Sequence, residues 1–266
     1  MKLLSIVLTI VFATALLPGC AVGNTGVPSN VVVREIGDVR LHSFMSRSVT
    51  PAIIETPDKL IIIDFPGDVE ESAPLFRNYV ESLNKPIERY FISHFCASHF
   101  RGIENQFPNM TFYSVDADHI MAMDEGSNLT INPIADDSEL IVAGIRLIFE
   151  VDREIEAWII KMPDLNAAYV DHLAYNSLHV FFPPLEPRLA HLKRLADEGI
   201  TWFMPGHGAP MQGPDFVNRA AAYYATILEA LARYNTLEEV KAAIIAAHPD
   251  YVPEANLDRF LPRFME

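Results

Sequence analysis

The chain has 266 residues, of which half are apolar and 21% charged, and it carries a formal charge of −15. That length allows one large domain or two small ones with a sizeable buried core. The acidic balance excludes a nucleic-acid partner, because a phosphate backbone needs a basic footprint that is absent here. No Lys/Arg cluster suits an anionic membrane surface either.

The first 20 residues stand apart. Met1-Lys2 is a minimal positive start, Leu3 to Leu17 is an almost unbroken apolar run, and Leu17-Pro18-Gly19-Cys20 places a cysteine after a small residue. This pattern is similar to a bacterial lipoprotein signal, in which Cys20 becomes the lipidated first residue of an exported chain. Pro18 keeps cleavage by ordinary signal peptidase open as the alternative. A transmembrane helix is disfavoured because the run is short and ends in Pro-Gly. Residues 1–20 are therefore expected to be a signal peptide. The mature protein is expected in the periplasm, with its only membrane attachment at Cys20. Residues 21–29 read as a flexible tether. Cys96 is then the one cysteine of the mature chain, which rules out an intramolecular disulfide.

Further along, Val31 to Ile36 and Val39 to Phe44 flank Gly37-Asp38, a hairpin signal. Ala52 to Glu55 and Leu60 to Asp64 repeat the arrangement. Leu75, Phe76, Tyr79, Val80 and Leu83 fall at helical spacing, and Ile87 to Ser93 reads as the next strand. After a His-rich loop, a strand is expected at Met110 to Ser114 and a helix at Asp116 to Met123. Residues 125–138 read as turn. Strands follow at 139–142, 145–151, 156–162 and 167–170, then a helix over 188–197 and a strand from Thr201 to Met204. The remainder reads as helix over 214–233, 236–247 and 256–262, with the first packed on the sheet and the others as cover. A β meander thus passes into a βαβ rhythm.

Four of these strands end in polar or metal-capable groups: Asp64; His94 to His99; Asp171 with His172; and His207. In an open α/β sheet, loops at the carboxyl ends of strands converge on one crevice. Imidazole, thiolate and carboxylate are the usual zinc ligands. Hydrogen-bonded loop histidines are the bland alternative. Asp64 reads as an orienting residue, and His179 equally as a substrate contact or a packed histidine.

The segment His94-Phe95-Cys96-Ala97-Ser98-His99, followed by Asp171 and by Pro205-Gly206-His207-Gly208, resembles the metallo-β-lactamase fold hydrolases. Family members carry His-x-His-x-Asp-His in that first position. The resemblance implies a four-layer αββα sandwich over residues 30–212, with a helical extension over 213–266 packed on the same domain. It implies zinc, one or two ions, with iron or manganese as alternatives. One pocket would use His94, Cys96 and Glu154, or Glu156 after a slip of two residues; the other would use His99 and His207, with Asp171 between them. Asp171, His207 and His179 would be the catalytic residues. Two positions depart from the pattern: Cys96 exchanges one ligand type for another, and Ser98 replaces a carboxylate with a neutral hydroxyl that cannot serve as a base. The expected activity is hydrolysis of an ester, amide, lactone or sulfate bond in a small molecule. A binding or scaffold lipoprotein that has lost the reaction is the second expectation, and Cys96 as a nucleophile a third.

Overall fold

Alternation of buried side chains builds two sheets. The computed structural model describes residues 28–46, 49–123 and 129–265; the expected signal segment with Cys20 lies outside them, as does residues 21–27 of the tether. Strands β1 (Val31–Ile36) and β2 (Val39–Phe44) form a hairpin at Gly37, whose φ of 58° suits the tight turn. They continue antiparallel into β3 (Ala52–Glu55) and β4 (Leu60–Ile63). In β4, Leu60 and Ile62 enter one core while Ile61 and Ile63 enter another. Covering on both faces explains why this strand is apolar throughout.

Helix α1 (Ser72–Ser82) then carries the chain over to β5 (Ile87–Phe91), which lies parallel to β4. Helix α2 (Ile103–Gln106), β6 (Thr111–Ser114), α3 (Ala117–Met123) and β7 (Thr130–Pro133) complete a seven-stranded sheet in the order β1 to β7. Strand β7 falls where the sequence reads as turn. It is an edge strand that buries only Ile131, so it shows no period, and Pro133 is tolerated there.

The second sheet contains β8 (Glu139–Val142), β9 (Ile145–Asp152), β10 (Ala157–Met162), β11 (Ala167–Asp171), β12 (Trp202–Pro205) and β13 (Met211–Gln212). Its order is β13-β12-β11-β10-β9-β8. Only β11 and β12 are parallel, joined through α4 (Leu185–Asp197).

The inner faces of the sheets meet through Leu41, Ile54, Ile63 and Phe91 on one side and Leu147, Phe149, Met162 and Tyr169 on the other. Outside the first sheet, Phe76 and Ile103 pack on Ile62 and Tyr90. Outside the second, Leu192 and Leu195 of α4 and Phe216 of α5 (Gly213–Arg233) pack on Ala168, Val170 and Phe203. The result is the αββα order. The later part of α5 presents Tyr223 and Ile227 to a fourth core, shared with α6 (Leu237–Ala247), α7 (Ala255–Phe260) and Phe181. Among the described residues, no helix is long and apolar enough to cross a membrane.

Candidate metal centre

Two parallel strand pairs, β4–β5 and β11–β12, bring their carboxyl ends to the same edge of the sandwich. Asp64 follows β4, His94 and His99 follow β5, Asp171 ends β11, and His207 follows β12. Asp64 is completely buried. Its Oδ1 accepts from the Ser93 backbone N–H at 2.7 Å, and its Oδ2 accepts from Ser93 Oγ at 2.8 Å and Tyr169 OH at 2.6 Å. His99 Nδ1 lies 2.8 Å from the same Oδ2. Burial pushes the Asp64 carboxyl up, but His99 and these donors outweigh it and hold it below its ordinary value. An ionised Asp64 keeps the proton on Nδ1 of His99 and leaves the Nε2 lone pair free to bind a cation.

The backbone is arranged to the same end. Asp64 and Asp171 both have left-handed φ, 62° and 37°, a conformation that costs about 1–3 kcal/mol for a non-glycine residue. Phe65 N–H donates to His99 O at 2.9 Å and Gly67 N–H to Ser98 O at 2.8 Å, which ties the two loops together. A Cβ at Gly67 would lie 2.5 Å from Ser98 O, and one at Gly206 only 2.6 Å from Asp171 Oδ1.

One group of donors results. Single ligand atoms of His94, His99, Asp171 and His172 all lie within 4.8 Å of one another. Asp171 is fully buried, with His94 Nδ1 2.9 Å from Oδ2, and His99 Nε2 and His172 Nε2 each 3.8 Å from Oδ1. His94 is thus ion-paired with Oδ2, while Asp171 Oδ1 and His99 Nε2 are buried with no hydrogen-bond partner. Orphaned groups of this kind are costly unless something else satisfies them. Burial disfavours a charge on His94, yet Asp171 outweighs it and lifts the imidazole to about 10, so the buried carboxylate demands positive charge at this point. His172 is pushed well below its ordinary value by burial and by its neighbours His94, His207 and His99, which keeps it in the neutral form that binds metal. Three imidazoles and a carboxylate suit a divalent transition metal such as zinc.

His172 is the member of this group that the family pattern does not supply. Its signal in the sequence is its place directly after a strand-end aspartate. Successive side chains of an extended strand point to opposite faces; the left-handed φ at Asp171 breaks that alternation and brings both side chains to one point. Arg188, itself buried, donates to His172 O at 2.9 Å, and Phe182 stacks on the ring at 5.4 Å. His207 Nε2 lies 3.0 Å from His172 Nε2, with the rings stacked, at the rim of the group.

The other expected site residues are placed differently. Cys96 is half-buried, with Sγ 3.1 Å from Ser98 Oγ, and stands outside the four-donor group. Burial pushes its thiol up, but His94 and Ser98 draw it down to about 6. Glu154 is not brought to the group. It is exposed in the turn between β9 and β10, its N–H donating to Asp152 Oδ1 at 3.1 Å, and Glu156 is exposed in the same turn. Trp158 of β10 covers His94 instead, stacked at 4.8 Å. His179 turns away into the fourth core, where Nδ1 lies 3.0 Å from Tyr223 OH and Tyr251 packs on the ring. The structure gives it the packed role.

A cleft of about 430 Å³ opens over the donors, lined by Cys96, Ser98, His172, Tyr175 and His207 and closed on one side by residues of α7.

No family model and no curated protein matches the sequence. Solved structures do match the fold. A metallo-β-lactamase from Pontibacter korlensis superposes with a TM-score of 0.55 at 15% identity, over 71% of this chain and 95% of that one. One from Hirschia baltica gives 0.53 at 15%, over 72% and 96%. The metallo-β-lactamase FIM-1 from Pseudomonas aeruginosa, in its mono-zinc form, gives 0.54 at 16%, over 72% and 93%. With the αββα layers and the donor group at the strand ends, these matches establish that the chain has the metallo-β-lactamase fold.

Proposed function

We propose that the protein is a metal-dependent hydrolase of an ester, amide, lactone or sulfate bond in a small molecule, built on one zinc ion held by His94, His99, Asp171 and His172. Iron or manganese would suit the same donors. The observation that carries this reading is the pair of buried atoms without a hydrogen-bond partner, His99 Nε2 and Asp171 Oδ1, within one four-donor group. When bound, the cation would supply Lewis acidity and acidify a water as the nucleophile. The protein's own groups do the rest. Asp64 fixes the tautomer of His99, Arg188 fixes the backbone of His172, and Trp158 excludes solvent from His94. His207 lines the cleft 3.0 Å from His172, where it can pass a proton to a leaving group.

Metal analysis of protein purified from zinc-, iron- or manganese-supplemented cultures tests this directly. One tightly held ion is expected, with hydrolysis of chromogenic esters, sulfates or lactams that chelation abolishes. A protein that binds none of these metals sinks the proposal.

Ser98 favours a second reading, a binding protein that has kept the fold without the reaction, because no Asp or Glu is among the described residues lining the cleft. On that reading the parent is inert, and Ser98→Asp with Cys96→His gains hydrolysis. Turnover by the parent that is lost in His207→Ala excludes it. Residues 1–20 support export and a lipid anchor at Cys20. Membrane fractionation of the parent and of Cys20→Ala tests that: the parent is expected in the membrane fraction and the variant in the soluble fraction.

A further inference from the structure

The cleft contrasts with the rest of the chain in its charge. The protein has 35 Asp and Glu residues, yet none is among the described residues lining the cleft. Arg259 of α7 is the one Lys or Arg among the described residues there. It makes no hydrogen bond or ion pair among the described residues, and its guanidinium carbon lies 5.4 Å from the centre of the Phe260 ring. Arg219 pairs with Asp250 and Arg153 with Asp136, whereas Arg263, over the rings of Phe182 and Phe260, forms no ion pair among the described residues but does not line the cleft. Asn256, three residues earlier on the same helix face, adds a polar amide to the wall, and Phe182, Leu178 and Val180 give it apolar surface beside the polar Thr50, Ser98 and His172. An unpaired guanidinium on a wall whose described residues include no Asp or Glu offers a planar fork of donors for an oxyanion.

We infer that Arg259 selects substrates that carry an oxyanion on an apolar body, held by the guanidinium while the scissile bond lies at the donor group. This deepens the hydrolase reading and rests on it for the word substrate; anion binding itself can be measured apart from turnover.

The probes are benzoate, phenyl phosphate and phenyl sulfate, with benzamide as the neutral control, titrated by NMR into zinc-loaded and chelator-treated protein. Both forms of the parent are expected to bind at least one of the anions and to bind benzamide at least tenfold more weakly. Which anion binds tightest separates the carboxylate, phosphate and sulfate sources. Arg259→Ala is expected to lose roughly tenfold or more in anion affinity, with Arg259→Lys intermediate. Arg77→Ala, an equal charge change on α1, should leave affinity within about twofold, which excludes a mere net-charge effect. Equal binding of anion and benzamide by the parent, or unchanged anion affinity in a folded Arg259→Ala protein, overturns the inference. If the anions bind as expected while no substrate is turned over with any metal, the hydrolase reading fails and the anion site stands.

Discussion

Asp64 Oδ2 and His99 Nδ1 lie 2.8 Å apart, both completely buried, and this pair determines which nitrogen of His99 faces Asp171. The carboxylate is not among the four donors; it acts through the imidazole. Asp64→Asn keeps the volume but removes the charge that holds the proton on Nδ1. Zinc affinity is expected to fall roughly 10- to 100-fold, read by competition with a fluorescent chelator. Unchanged affinity would show that His99 is oriented by other means.

The donor set can be separated from its sequence-based alternative. His172→Ala should abolish stoichiometric zinc binding, as should His94→Ala and His99→Ala, whereas Glu154→Gln should bind like the parent. Elemental analysis of dialysed proteins reads both outcomes. Loss of zinc in Glu154→Gln would return that residue to the centre.

Gly206 is required by proximity, since a Cβ there would approach Asp171 Oδ1 to 2.6 Å. Gly206→Ala must displace either the carboxylate or the loop after β12. A loss of about 1–3 kcal/mol is expected from such overpacking, together with weakened zinc binding. Urea unfolding and zinc titration on the same sample measure the two effects.

His179 contacts Tyr223 and Tyr251, not the donors. His179→Ala is expected to lower stability, about 1–3 kcal/mol for a buried polar group and its packing, and to leave zinc affinity within about twofold. A tenfold loss of affinity with unchanged stability would restore a role at the centre.

Far from the centre, buried His42 lies between Tyr79 OH at 2.7 Å and Glu55 Oε2 at 2.9 Å. Burial lowers its pKa to about 4, against the opposing pull of Glu55. The folded state therefore prefers neutral His42, and the unfolded state takes up its proton first, near pH 6.5. This contribution is complete above that pH and is lost as the pH falls towards 4. Glu55 acts in the same direction, because Lys85 and Arg40 outweigh burial and hold its carboxyl below its ordinary value. From pH 7 to pH 5 the His42 share of the loss is about 2 kcal/mol. Urea unfolding at the two pH values should show it, and His42→Gln should flatten the slope.

Much of this molecule is legible in the chain itself. Unbroken apolar runs such as Leu60 to Ile63 mark strands buried on both faces, helical spacing marks α1 and α5, and the strand-end residues Asp64, His94, His99 and Asp171 mark one edge of the sandwich. Those features are local, so a sequence records them directly. Strand β7 escaped because an edge strand buries one residue and leaves no period to read. The family register points to Glu154, but the exposed β9–β10 turn keeps it away from the donor group. His172 and Arg259 depend on tertiary structure in different ways. A left-handed φ at Asp171 brings two consecutive side chains into one donor group, and a helix far along the chain folds back to wall the cleft. Residue order determined the layers and which strand ends carry donor groups. Backbone reversal and long-range packing decided which side chains meet, because convergence in space depends on dihedral angles and contacts that no spacing along the chain encodes.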